Sequence, residues 1–272
     1  MAAGALLALL VLVALRRWVH HAQLELAPVI VPPSADAAAV LSPPPAAVFA
    51  RMRLDLRSLF APPRRPKLAV LTFDDGPYPV TTPALLQVLR RLRAPADFFL
   101  VGRDAAQQPD ITSRSAAWGV EIGNHTLTHP QMPSLLFAAQ LEEIVDGAKA
   151  IRAVTGKPVR YFRPPHGNMN ALTILAARAA AQTLVLWDVD PGDWRTLPAD
   201  AIVDHVLTHA RAPAIILLHN GKEATIAALP AIVSAYRQAG FKFVTLTQLQ
   251  HAVALPQIND PSHISLERSA VK

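Results

Sequence analysis

The sequence predicts an α/β domain with a parallel sheet over residues 67–254, and three features predict it. Seven short apolar runs recur along this stretch, helix-like segments separate them, and five of the runs end on ionisable or amide side chains. The sheet is either open and doubly wound or closed into a barrel. In both, ligands sit at the carboxyl ends of the strands.

The runs are LAVLTF (68–73), DFFLV (97–101), VEIGNH (120–125), VRYFRP (159–164), TLVLWDV (183–189), AIILLH (214–219) and FKFVTL (241–246). Between them the spacing of apolar residues predicts helices over 82–93, 104–118, 135–155, 171–181, 199–210 and 223–239. Asp74 and Asp75 end the first run, Asn124 and His125 the third, Arg163 the fourth, Asp188 and Asp190 the fifth, and His219 the sixth. Scattered surface polarity would not select one rim of a sheet. No GxGxxG follows the first run and no phosphate-loop motif is present, so a dinucleotide or nucleotide fold loses its main support.

The rest of the chain differs in kind. Residues 1–15 carry no charged side chain, and Arg16, Arg17 and Trp18 follow, so 1–20 reads as a membrane anchor, with a cleaved signal or a buried helix as alternatives. Residues 21–66 are rich in Pro and Ala and read as a linker. Within it Val48, Phe49, Met52, Leu56, Leu59 and Phe60 fall at helical spacing beside Arg51, Arg53 and Arg57, a pattern that suits a helix packed on the next domain or one lying on a membrane. Residues 255–272 form a C-terminal tail.

Composition excludes several functions. With 51% apolar and 17% charged residues the chain can bury a core. Its formal charge is +6, but residues 1–66 hold seven arginines against Glu25, Asp36 and Asp55, which leaves about +2 for the remainder. A nucleic-acid-binding core is therefore not expected. There is no cysteine, so disulfides, thiol nucleophiles and cysteine metal sites are excluded. Any metal must be held by histidine and carboxylates.

Five short stretches bear on chemistry. TFDDGP delivers Asp74 and Asp75 into a Gly-Pro turn that can bring both carboxylates into one pocket. HTLTH sets His125 and His129 four residues apart, on a helical turn or on a loop entering a helix, a spacing at which two imidazoles can meet one cation. A His, His, Asp set leaves positions open for water and substrate, as catalytic sites do. Asn124-His125-Thr126 also matches a glycosylation sequon, which occupation of this rim would forbid. In RYFRPPHG, Arg163 on a stiff turn suits a carboxylate held by paired hydrogen bonds. DPGDW supplies Asp193 beside Trp194, and LLHN supplies His219, a candidate general acid near neutral pH.

TFDDGP (72–77), HTLTH (125–129), RPPHG (163–167), DPGDW (190–194) and LLHN (217–220), in that order, resemble the five motifs of the polysaccharide deacetylases of carbohydrate esterase family 4. The resemblance spans about residues 67–250. It implies a deformed (β/α) barrel of about seven parallel strands and metal-dependent removal of N- or O-acetyl groups from a glycan such as chitooligosaccharide or peptidoglycan. It also implies that Asp75, His125 and His129 hold the metal, zinc or else cobalt, nickel or manganese. By the same carry-over Asp74 is the general base, His219 the general acid, Arg163 orients Asp74 and Asp193 tunes His219, while Pro165, His166, Trp194 and Leu217 meet the substrate. The sequence departs from the family pattern twice, with His166 where tyrosine is usual and Asn220 where aspartate is common.

A glycan substrate sets the anchored domain toward the periplasm or the cell exterior. Arg16 and Arg17 pull the other way under the positive-inside rule. Two rival readings follow, a deacylase of a lipid-linked sugar at the membrane and a non-catalytic glycan-binding barrel.

Overall fold

The computed structural model describes residues 66–254. The expected anchor at 1–20, nearly all of the expected linker at 21–66 and the expected tail at 255–272 lie outside the described residues. Among the described residues no helix is long and apolar enough to cross a membrane.

All seven expected strands form, and every pairing is parallel: β1 (Leu68–Asp74), β2 (Ala96–Leu100), β3 (Glu121–Asn124), β4 (Tyr161–Phe162), β5 (Thr183–Leu184), β6 (Ala214–His219) and β7 (Lys242–Phe243). Their order is β5-β4-β3-β2-β1-β6, with β7 paired to the start of β1. The helices are α1 (Thr81–Leu92), α2 (Gly102–Gln107), α3 (Pro109–Ala117), α4 (Phe137–Thr155), α5 (Ala171–Ala179), α6 (Ala199–Thr208), α7 (Glu223–Gln238) and α8 (Leu246–Ala254).

The sheet curls, but its end strands β5 and β6 do not pair with each other. Past β5 the chain reaches β6 through one parallel bridge, Val189 to Ile216, and Leu217 N–H donates to the Val189 carbonyl at 2.9 Å. This single point of closure is what makes the barrel deformed. The central strand, β1, is buried along nearly its whole length because strands flank both its edges and helices cover its outer face. Its residues divide by the alternation of a strand. Ala69, Leu71 and Phe73 enter the layer between sheet and helices, whereas Val70 joins Phe99, Tyr161 and Val185 inside the barrel.

Three expectations need correction. The helix expected over 104–118 is two helices, because Pro109 lacks the N–H that an uninterrupted helix needs and takes the first position of α3 instead. The runs at 159–164, 183–189 and 241–246 contribute only two paired residues each. Helix α8 was not expected, although Leu246 and Leu249 lie at helical spacing and both are buried. At its N-terminus the Leu246 N–H donates to the buried Asp97 carboxyl at 3.1 Å, and the Thr247 N–H donates to Glu121 at 3.1 Å. Two carboxyls from the amino ends of β2 and β3 thus satisfy free donors of a helix start.

One contact of helix α4 with the sheet's rim bears on the site. Gly147 of α4 lies so close to the third strand's exit that an added Cβ would stand 2.5 Å from Asn124 Oδ1 and 2.6 Å from the Thr126 carbonyl carbon. Gly147→Ala is therefore expected to cost about 1–3 kcal/mol through overpacking. A thermal midpoint equal to that of the parent chain would show that the loop can retreat without penalty.

Candidate active site

Register brings the site together before any side chain is considered. Asp74 lies opposite His219 across β1 and β6 and opposite Phe99 across β1 and β2, Leu100 opposite Asn124, and Asn124 opposite Phe162. The residues that follow these positions, Asp75, His125 and Arg163, leave the sheet at one rim. Alternation alone would send Asp74 and Asp75 to opposite faces. Asp75 instead adopts left-handed φ of 70°, a conformation aspartate tolerates better than most residues, and its carboxylate stays on the same rim.

The two histidines of HTLTH stand on a loop entering a 3-10 turn at Met132–Ser134. Thr126 and His129 both have positive φ, and the His129 N–H donates to Thr126 Oγ1 at 2.9 Å. Glu143 of α4 ties the loop down: its carboxylate accepts from the Thr128 N–H at 2.9 Å and from Thr128 Oγ1 at 2.7 Å. This support was not expected from the sequence. Asn124 is fully buried, which removes the sequon as a modification site.

Asp75, His125 and His129 each offer a ligand atom, and these atoms lie within 4.8 Å of one another. His129 Nε2 stands 3.3 Å from Asp75 Oδ1 and His125 Nε2 stands 3.8 Å from it. The donor set suits a divalent cation for a further reason. His125 Nδ1 faces the Arg163 carbonyl at 2.8 Å, which places the proton on Nδ1 and leaves the Nε2 lone pair toward Asp75. Burial, against the pull of the Asp75 charge, lowers the His125 pKa to about 3, which favours the neutral ring that a cation would need.

Arg163 is the most buried charged side chain of the site, with no exposed surface. Its Nη1 donates to Asp74 Oδ1 at 2.7 Å and to Thr72 Oγ1 at 2.8 Å, its Nε to the Val185 carbonyl and its Nη2 to the Leu186 carbonyl. Phe99 and Trp187 flank the guanidinium at 4.2 and 5.5 Å. The expected pair of hydrogen bonds to one carboxylate is thus a single bond, because the other donors satisfy backbone carbonyls inside the barrel. Burial raises the Asp74 carboxyl above its usual 3.8, and the charges of Arg163 and His219 oppose that rise only in part.

His219 Nδ1 meets Asp193 Oδ1 at 2.8 Å, while Asp193 Oδ2 accepts from the His219 N–H at 2.8 Å and from Thr225 Oγ1 at 2.6 Å. Asp193 is buried and saturated, so it holds the ring at a fixed orientation with Nε2 free. Burial pulls the His219 imidazole down, but the hydrogen bond and charge of Asp193, with the charges of Asp74 and Asp75, outweigh it and hold the ring above its usual 6.5.

These groups share one cavity of about 440 Å³. Asp74, Asp75, His125, His129, His166, Asp190, Leu217, His219 and Trp194 line it, and Trp187 and Lys222 join them. Asp190 ends the fifth run and opens DPGDW, so the sequence places it at this rim, whereas no pattern marks Trp187 or Lys222 as lining the cavity. Pro165 is buried and is not part of the lining. Asp188 lies elsewhere, bonded to Arg211 and to the Ile215 N–H. His166 has φ of 59°, and its ring meets His129 edge-on with centroids 4.9 Å apart. Asn220 turns away from the cavity: its Oδ1 accepts from Thr82 Oγ1 at 2.9 Å and its N–H donates to the Asp74 carbonyl at 2.8 Å, bracing the Gly76–Pro77 turn. The departure from aspartate therefore removes no group from the cavity.

Residues 61–185 match the family model described as polysaccharide deacetylase. A peptidoglycan-N-acetylglucosamine deacetylase of Bacillus cereus is 35% identical over 192 residues, which cover 69% of this chain and 90% of that protein. This chain belongs to the polysaccharide deacetylase family. A chitooligosaccharide deacetylase of Sinorhizobium fredii is 38% identical over 192 residues, covering 65% of this deacetylase-family chain and 89% of the relative. Among solved structures, a peptidoglycan deacetylase of Bacillus subtilis superposes with a TM-score of 0.64 at 32% identity, covering 71% of this chain and 94% of that one. The curled parallel sheet is the family's fold.

The Asp193–His219 contact makes a prediction for the deacetylase. If His219 works protonated, activity falls as pH rises through its pKa. Asp193→Asn removes the charge that holds that pKa up, so the alkaline limb of the pH–rate profile should move to lower pH while the acid limb stays. An alkaline limb left in place would assign the proton to another group.

Proposed function

We propose that this chain removes N-acetyl groups from N-acetylglucosamine-containing glycans of the peptidoglycan or chitooligosaccharide class, with a divalent metal held by Asp75, His125 and His129. The observation that carries the reading is the placement of that ligand set beside Asp74 and His219 in one cavity. A bound cation, zinc or else cobalt, nickel or manganese, would supply Lewis acidity that lowers the pKa of water and polarises the acetyl carbonyl.

The chain's own residues do the rest. Asp74, held by Arg163 Nη1, takes the proton from the attacking water as general base. The His166 backbone N–H, on a turn stiffened by Pro164 and Pro165, donates toward the developing oxyanion. His219 gives its proton from Nε2 to the leaving amine while Asp193 keeps the ring aligned. Trp187, Trp194 and Leu217 wall the cavity against water and offer apolar surface to a sugar ring.

The test is acetate release from N-acetylated chitooligosaccharide and from peptidoglycan. Activity should be lost on chelation and return with added zinc, cobalt, nickel or manganese. Undiminished release after exhaustive chelation would remove the metal from the reaction. The non-catalytic reading predicts glycan binding without acetate release, and the complete base, acid and ligand set counts against it.

A further inference from the structure

The outer side of α5 is unusual for a helix that faces water. Thr173, Ala176 and Ala177 are buried, whereas Leu172, Ile174 and Leu175 are 38%, 44% and 52% exposed. Arg178 is the helix's only charged residue. A surface helix ordinarily turns polar residues outward.

Helix α4 continues the apolar surface. Leu136, just before its first turn, is 82% exposed and Phe137 is 38% exposed. The first turns of the two helices adjoin through a buried bond from Thr173 Oγ1 to Gln140 Oε1 at 2.6 Å. Toward their far ends a groove of about 710 Å³ lies between them, lined by Val145, Ala148 and Val159 together with Lys149 and Arg152. Lys149, Arg152 and Arg178 are the exposed cations of the two helices. The exposed acids of α4, Glu142 and Asp146, are not part of the groove's lining and lie on the helix between Phe137 and Lys149.

We infer that the α4–α5 face seats on the surface of an anionic phospholipid bilayer. Its leucines, isoleucine and phenylalanine enter the boundary between headgroups and acyl chains, and Lys149, Arg152 and Arg178 meet the phosphates. Charge selects this occupant. A two-fold contact with a second copy would bury these three cations twice over in one interface. The uncharged run at residues 1–15 is a second membrane-seeking element, and two such signals together give stable attachment where one is marginal.

The seating also orients the cavity. The loop carrying His129 leads through Gln131 and Met132 to Leu136, and the turn carrying His166 leads through Asn168 and Met169 to α5. Asn168 Nδ2 donates to Gln131 Oε1 at 3.1 Å and joins the two. The mouth of the site therefore stands beside the headgroups, a position that favours glycans held close to a membrane. This last consequence rests on the proposed deacetylase reading, whereas the seating does not.

Because the chain lacks cysteine, one introduced thiol gives a unique label. The full chain, carrying a nitroxide at Leu175→Cys or at Gln238→Cys on α7, is reconstituted in phosphatidylglycerol–phosphatidylethanolamine vesicles. The label at 175 should collide about tenfold less often than the label at 238 with a water-soluble chromium complex. Adding Lys149→Glu and Arg152→Glu should abolish that protection while leaving acetate release from soluble chitooligosaccharide unchanged. Equal collision at 175 and 238 overturns the seating. Undiminished protection in purely zwitterionic vesicles, or in the glutamate variant, overturns the assignment to anionic lipid. Concentration-dependent spin–spin broadening at 175 without lipid would instead show a second copy on this face. A chain that seats but releases no acetate would overturn the catalytic reading alone.

Discussion

Asp74→Asn should lower acetate release by about two to four orders of magnitude, the usual contribution of a positioned general base, and leave the fold intact. The substitution is close to isosteric. Its amide oxygen can still accept from Arg163 Nη1, so the geometry at the end of β1 has no reason to move. What disappears is the carboxylate that the buried guanidinium balances. That loss costs about 1.5–3 kcal/mol, as for a hydrogen bond to a charged group, and is softened because burial already disfavours the charge on Asp74. The two effects separate cleanly in measurement. Acetate release reports the base, whereas near-ultraviolet circular dichroism and the thermal midpoint report the fold. Metal content supplies the control, since Asp75, His125 and His129 are untouched. Turnover within about tenfold of the parent would fall below the range for a general base and end this assignment of Asp74.

The parts of this site that could be read in the sequence are those in which local pattern and tertiary position coincide. LAVLTF is buried on both faces, so it reads as a continuous apolar run and predicts β1 nearly to the residue. The motif residues were placed at one rim because a parallel sheet puts all its strand ends on one side, and register then brings Asp74 opposite His219. Where interactions between distant segments decide the outcome, the pattern was silent or misleading. TLVLWDV looks like a seven-residue strand. Only Thr183 and Leu184 pair with β4, because beyond them the chain must cross to reach β6 at Val189. Asp188 was expected at the rim, yet it follows that crossing and bonds to Arg211. The burial of Arg163 could not be foreseen from a turn sequence either. Its donors are satisfied by β1 and by the chain just after β5, one segment about ninety residues before it and the other about twenty after, as the bonds show. Lys222 and Trp187 enter the cavity by the same route, through loop placement that no periodicity records.

Arg163→Met should cost about 3–5 kcal/mol, the range for removing one member of a buried ion pair, and the cost should depend on pH in a direction that identifies the cause. The methionine fills much of the volume between Phe99 and Trp187 but offers no donor to Asp74, Thr72 or the carbonyls of Val185 and Leu186. With the guanidinium gone, the charge that opposes desolvation of Asp74 is lost, and the folded-state pKa, already raised above 3.8, rises further. The folded variant therefore binds that proton more tightly than the unfolded chain does. Its stability should fall as pH rises through the raised folded pKa, and recover as pH drops toward the unfolded value near 3.8. Urea denaturation at several pH values should show the gap between variant and parent widening toward alkaline pH. The acid limb of any residual activity should move to higher pH in step, because the same proton must leave Asp74 before it can act as a base. A gap that stays constant with pH would mean that lost packing and lost carbonyl bonds account for the penalty. The ion pair would then be a minor part of what holds Asp74 in place.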